Sequence, residues 1–146
     1  MFSMLRLPLA GLAAILLLPK ANAVEVTLGQ TVFTVPDGFT VERVAGPPLV
    51  DRPITAAFDE QGRLYVADSS GSNDPVQKQL AEKPHRIVRL EDRDGDGQFD
   101  HSVVFADKMM FPEGTLWHDG SLYVSAPPSI WRLTDTDGDG VANERE

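Results

Sequence analysis

Two stretches of this chain carry carboxylates at a spacing suited to a hard cation. They are Asp92-Arg93-Asp94-Gly95-Asp96-Gly97 and Asp135-Thr136-Asp137-Gly138-Asp139-Gly140, 43 residues apart. Side chains at alternate positions of a curling loop can converge on one ion, and a glycine at the sixth position permits the sharp turn. Calcium takes six to eight oxygen ligands at about 2.3–2.6 Å, so each loop needs more than its three aspartates. In the first loop the further candidates are the backbone carbonyl of Gln98 and the side chain of Asp100. In the second they are the carbonyl of Val141, the side chain of Asn143 and, at position 12, Glu146. Position 12 of the first loop is Val103, so the bidentate glutamate of an EF-hand is missing there. The expected ligand sets are thus Asp92, Asp94, Asp96, Gln98 and Asp100, and Asp135, Asp137, Asp139, Val141, Asn143 and Glu146. Clustered carboxylates repel one another at neutral pH, and a bound divalent cation removes that repulsion. The calcium expected here is structural, because both loops recur with the repeat and no general base is fixed beside them.

The flanks say which elements hold these loops. Ile87-Val88-Arg89-Leu90 precedes the first and Ile130-Trp131-Arg132-Leu133 the second, each a short apolar run with arginine third. Such runs, and Ser102 to Ala106 after the first loop, suit strands, whereas an EF-hand needs a helix on each side. Both loops are therefore expected at hairpin ends. A second equivalence supports a repeat: Arg63-Leu64-Tyr65-Val66 follows the turn Asp59-Glu60-Gln61-Gly62, and Ser121-Leu122-Tyr123-Val124 follows His118-Asp119-Gly120. Asp-Gly between apolar runs is a strong hairpin signal. The tyrosines lie 58 residues apart and the acidic loops 43, which places an insertion over Asp68 to Arg86. There Asp74-Pro75 reads as an N-cap and first helical residue, Val76 to Lys83 as about two helical turns, and Pro84 as the stop.

Upstream, Val26 to Leu28 and Val32 to Val35 alternate around Gly29-Gln30, predicting a hairpin, and Phe39 to Val44 alternates again. Ile54 to Phe58 starts a further strand. Trp117, Trp131 and Phe111 are expected to pack between repeats. The spacing of about 43 residues matches one four-stranded propeller blade. The fold expected is all-β, a partial β-propeller of two to three blades of antiparallel strands over residues 24–146. So few blades cannot close a propeller. This leads to the expectation of a longer protein, a truncated gene or a module that needs further copies of itself.

Met1 to Ala23 reads as a signal peptide: Arg6 supplies the basic start, Leu7 to Leu18 the apolar run and Ala21-Asn22-Ala23 the small residues before cleavage. The run is shorter than the roughly 20 residues a spanning helix needs. A periplasmic or secreted location follows, with membrane association as a further expectation. The formal net charge is −9, and removal of Arg6 and Lys20 makes the remainder more acidic still. Nucleic acid is therefore not an expected partner, since that binding rests on lysine and arginine. There is no cysteine, so neither disulfides nor a c-type haem attachment can form. His85, His101 and His118 are not paired at metal-ligand spacing and read as exposed polar residues. His85 has the best claim to a functional role, because it ends the insertion.

The stretches Gly38 to Ala67, Val103 to Asp107, Phe111-Pro112-Glu113-Gly114 and Leu122 to Leu133, followed by the second acidic loop, resemble the N-terminal part of the planctomycete-type membrane-bound dehydrogenase domain. That family is similar to sorbosone dehydrogenases and soluble quinoprotein glucose dehydrogenases, which are β-propellers. The resemblance implies an exported oxidoreductase acting on a sugar or alcohol, with pyrroloquinoline quinone as cofactor. It implies as partners the remaining blades or a downstream cytochrome c segment of a longer protein, this portion alone being inactive. No catalytic or quinone-binding residue of that family maps onto a position here. The alternative expectations are a non-enzymatic surface propeller that binds carbohydrate or protein, and a nonfunctional gene fragment.

Overall fold

The computed structural model describes residues 22–146. The signal peptide expected over residues 1–23 lies outside the described residues save its last two, of which Ala23 opens the first strand. Two compact units follow. The first holds a hairpin of β1 (Ala23–Leu28) and β2 (Thr31–Pro36), antiparallel in the register Val26 to Phe33. The alternation of Phe39 to Val44, read above as strand-like, forms no strand.

The second unit, Arg43–Glu146, contains two four-stranded antiparallel sheets. One runs in chain order through β3 (Pro53–Phe58), β4 (Leu64–Asp68), β5 (His85–Glu91) and β6 (His101–Met109). The other repeats that meander with β7 (Gly114–His118), β8 (Ser121–Ala126), β9 (Ser129–Thr134) and β10 (Glu144–Arg145). The protein is all-β, with its sheets open at their edges. The β7–β8 turn has positive φ at both Asp119 (+47°) and Gly120 (+76°), the backbone a two-residue hairpin turn requires. Strand β10 follows the second acidic loop as β6 follows the first. It is only two polar residues long, so it has no apolar pattern to betray it, yet Arg145 pairs with Leu133.

Period-two alternation gives each sheet two faces. Tyr65, Ala67 and Ile87 of the first sheet meet Leu122, Val124, Ala126 and Leu133 of the second in one buried cluster, joined by Phe105 and Met109. Trp117 and Trp131 pack against it, as expected for residues between repeats. Tyr65 stacks on Trp117 at 4.7 Å between centroids and meets Phe105 edge-on at 4.8 Å. The opposite face of the first sheet, Val66, Val88 and Leu90, is covered by Val50, with Ala45 and Leu49 packed beside it. Asp68 fastens that covering segment. Its buried carboxylate accepts the amides of Asp51 and Arg52 at 3.1 and 2.7 Å and the Arg86 guanidinium at 2.7 and 2.9 Å.

The insertion between β4 and β5 forms α1 (Val76–Glu82). Its N-cap residue is Pro75, which has no side chain to cap with, and not Asp74. Asp74 instead accepts from Ser72 Oγ at 2.8 Å and Lys78 Nζ at 3.0 Å.

Candidate metal centre

Both acidic loops close antiparallel strand pairs at equivalent places, β5 to β6 and β9 to β10. In each, the first aspartate accepts two backbone amides. Asp92 takes Gly95 at 2.7 Å and Gly97 at 2.9 Å, and Asp135 takes Gly138 and Gly140 at the same two distances. The third position accepts the amide two residues on, Asp94 from Asp96 and Asp137 from Asp139, at 3.3 Å. The fifth does likewise, Asp96 from Gln98 and Asp139 from Val141, at 2.8 Å. Glycines at the fourth and sixth positions carry positive φ, from +76° to +93°. Only the sixth was legible as a requirement of the turn.

The result is two carboxylate triads, Asp92-Asp94-Asp96 and Asp135-Asp137-Asp139, with one oxygen of each member within 4.8 Å of the others. Oxygens on opposite sides of one calcium stand about 5 Å apart, so both triads have the span of a shared ion. A carboxylate oxygen that accepts one amide keeps a lone pair for a metal. Hydrogen bonds from Gly97, and then Gly95, hold the Asp92 carboxyl below its ordinary range. Burial works against ionisation of Asp135. The amides of Gly140 and Gly138, with the nearby Arg89 charge, outweigh it and leave that carboxyl depressed as well. Both groups are therefore anionic at neutral pH.

The other expected ligands do not join the triads. Asp100 accepts the Arg93 amide at 3.3 Å, and Asn143 accepts the Thr136 amide and hydroxyl, each at 3.0 Å. Position nine thus closes the neck of the loop by bonding position two. Glu146 is carried away by β10. Its backbone exchanges hydrogen bonds with Arg132 at 2.8 and 3.0 Å, and its carboxylate accepts from the Arg132 guanidinium. Gln98 and Val141 follow the second glycine of each loop, their amides tied back to the triad, which leaves their carbonyls as the candidate backbone ligands.

The second loop is also gripped from the first sheet, which no sequence signal announced. Arg89 of β5 is buried, pairs with Glu91 at 2.6 Å and lies 3.6 Å from Asp135. The Ala142 amide donates to the Phe105 carbonyl at 2.8 Å. A Cβ on Gly140 would come within 2.5 Å of Arg89 Nη2, whereas one on Gly97 would meet nothing within 4 Å. Both glycines sit in the left-handed region, where a side chain costs about 1–2 kcal/mol. Gly97→Ala is expected to show that strain alone. Gly140→Ala is expected to cost clearly more in urea unfolding. Equal losses would show that the grip by Arg89 is slack.

His85 is buried rather than exposed, and both ring nitrogens are engaged. Nδ1 accepts the Ser70 amide at 3.1 Å, and Nε2 lies 3.1 Å from Gln79 Oε1. The ring pins α1 and the Ser69–Ser70 loop to β5 and has no nitrogen left for proton transfer. Burial lowers its pKa. An unfolded histidine titrates near about 6.5, so the unfolded chain takes up the proton first as pH falls. Stability from this site is complete above that value and declines below it. The melting midpoint is expected to fall between about pH 7 and pH 5, and His85→Gln to flatten that slope. A slope unchanged in the variant would assign the pH dependence elsewhere.

The sequence matches the family described as Domain of unknown function (DUF7133) over residues 27–146. The chain belongs to that family. No curated protein and no solved structure matches the chain. Among the described residues, no helix is long and apolar enough to cross a membrane.

A quinone of the pyrroloquinoline type carries carboxylates and would need unpaired cationic side chains. The sheet arginines are each paired with a carboxylate of this chain, Arg86 with Asp68, Arg89 with Glu91, Arg132 with Glu146 and Arg145 with Asp107. These four arginines are thus committed to the protein's own carboxylates.

Proposed function

We propose that this member of the DUF7133 family is a calcium-stabilised repeat module, two blades of an exported β-propeller of the oxidoreductase type, whose redox chemistry lies outside these residues. The observation that carries the reading is the pair of carboxylate triads with duplicate hydrogen-bond geometry at equivalent hairpin ends. Each triad supplies three anionic oxygens, the carbonyl of Gln98 or Val141 adds a fourth, and water completes the shell. The ion cancels repulsion among the aspartates and locks the turn that joins the third strand of each blade to the fourth. Chemistry on a substrate finds no support here, since the triads are bound to their own backbone and His85 is fully engaged.

Equilibrium dialysis against calcium in a tenfold excess of magnesium tests this. Retention of calcium is expected, because magnesium demands near-ideal octahedral geometry and gives up its water reluctantly. A calcium level inside the bag equal to that outside contradicts the proposal. Export is tested by N-terminal sequencing of the secreted protein, which should begin at Val24.

A further inference from the structure

Beside their acidic loops the two repeats differ in chemistry. Pairing of Leu64 with Leu90 in the first sheet, and of Leu122 with Leu133 in the second, makes the positions just beyond them equivalent. Arg63 corresponds to Ser121, Glu91 to Thr134 and Arg93 to Thr136. In the second repeat these side chains are satisfied locally. Ser121 and Thr134 share a hydrogen bond at 2.9 Å, and the Thr136 hydroxyl donates to Asn143 at 3.0 Å. In the first repeat the same positions bring two arginines to one cleft of about 440 Å³, lined by Gln61, Gly62, Arg63, Glu91, Asp92 and Arg93.

Both guanidinium groups are anchored along one edge. Arg63 Nε donates to Asp59, whose carboxylate is fully buried, and Nη2 reaches Gln61 at 3.3 Å. Arg93 Nε donates to Glu91 at 3.0 Å. Among the described residues, Nη1 of Arg63 and both Nη atoms of Arg93 donate to no acceptor. An arginine held through Nε presents its remaining N–H groups as a preset fork for an oxyanion. Two forks together ask for at least three acceptor oxygens. A phosphate or sulfate ester has them, and a carboxylate does not.

We propose that this cleft binds the tetrahedral oxyanion of a phosphate or sulfate ester, held by Arg63 and Arg93, when calcium fills the adjacent loop. The dependence on calcium rests on the metal reading above. Without the ion, Asp92, Asp94 and Asp96 set three negative charges beside the cleft and repel an anion. Glu91 adds little to this, because Arg89 and Arg93 both pair with it. A divalent cation cancels most of the triad's charge and leaves the arginine forks to set the local field. The second loop has no arginine at either position, so one anion is expected per chain.

Isothermal titration with methyl phosphate, methyl sulfate and acetate tests this, in saturating calcium and in chelator, at about pH 8, where a phosphate monoester is a dianion. One ester is expected to bind per chain in calcium, and at least about tenfold more weakly in chelator. Acetate is expected to bind far more weakly than either ester, and the tighter ester identifies the source of the anion. Arg93→Gln is expected to weaken ester binding about tenfold and to leave the calcium stoichiometry unchanged. The Arg93 side chain is 57% exposed, so its loss leaves the fold intact. Lys78→Gln, an equal loss of charge on α1, is expected to leave ester binding as in the parent. Acetate as tight as the esters, ester binding indifferent to calcium, equal effects of the two substitutions, or calcium bound with no ester overturns this proposal alone. No calcium bound overturns it together with the metal reading.

Discussion

Tyr65→Ala is expected to remove about 3–5 kcal/mol of stability, the range for truncating a large buried aromatic side chain. Tyr65 is the centre of the contact between the two sheets. It stacks on Trp117 of β7, meets Phe105 of β6 edge-on and is almost wholly buried. Burial pushes its phenol up to about 12, so the ring stays neutral through any ordinary pH. A domain of this size has about 5–15 kcal/mol in total, so the loss is a large fraction of it. Tyr65→Phe keeps the ring and is expected to cost far less. Tyr123→Ala, at the equivalent position on the open face, is expected to cost a fraction of the Tyr65 value. Urea unfolding of the three variants measures this. Similar losses at Tyr65 and Tyr123 would mean that the sheets do not stack as described.

The second large effect is the response to calcium. A ligand at a hundred times its dissociation constant stabilises the folded state by about 2.7 kcal/mol per site. With two equal loops the sum is about 5 kcal/mol, and at roughly 4 °C per kcal/mol the melting midpoint rises by about 20 °C over that in chelator. The informative substitutions are Asp94→Asn and Asp137→Asn. Each of these positions accepts one amide at 3.3 Å, so asparagine keeps the turn while removing an anionic ligand. Each variant is expected to lose about half of the calcium-dependent rise and to match the parent in chelator. Asp92 and Asp135 are poor choices, because each holds two loop amides and its loss would damage the turn without any metal. An identical midpoint with calcium and with chelator would exclude a structural ion.

Much of this arrangement is legible in the residues because the repeat prints it twice. Leu-Tyr-Val marks β4 and β8, and the apolar runs before each acidic loop mark β5 and β9. The excess length between Tyr65 and Ile87 locates the insertion that holds α1. What escapes a sequence reading is what depends on partners distant along the chain. The alternation of Phe39 to Val44 imitates a strand, yet it forms none, and Ala45, Leu49 and Val50 just beyond it cover a sheet face. Glu146 has the spacing of a ligand, but the strand ladder turns it toward Arg132. The grip of Arg89 on Gly140 joins residues of two repeats, and neither loop alone carries a sign of it. Asp100 and Asn143 occupy a ligand position and serve as latches, a distinction set by which amide lies nearest.

The central claim is that each repeat is closed by a carboxylate loop that takes one ion, and isothermal titration with calcium tests it most directly. The parent chain is expected to bind two ions, Asp94→Asn and Asp137→Asn about one each, and the double variant none. Absence of binding heat at millimolar calcium, or a stoichiometry unchanged in the double variant, would contradict it.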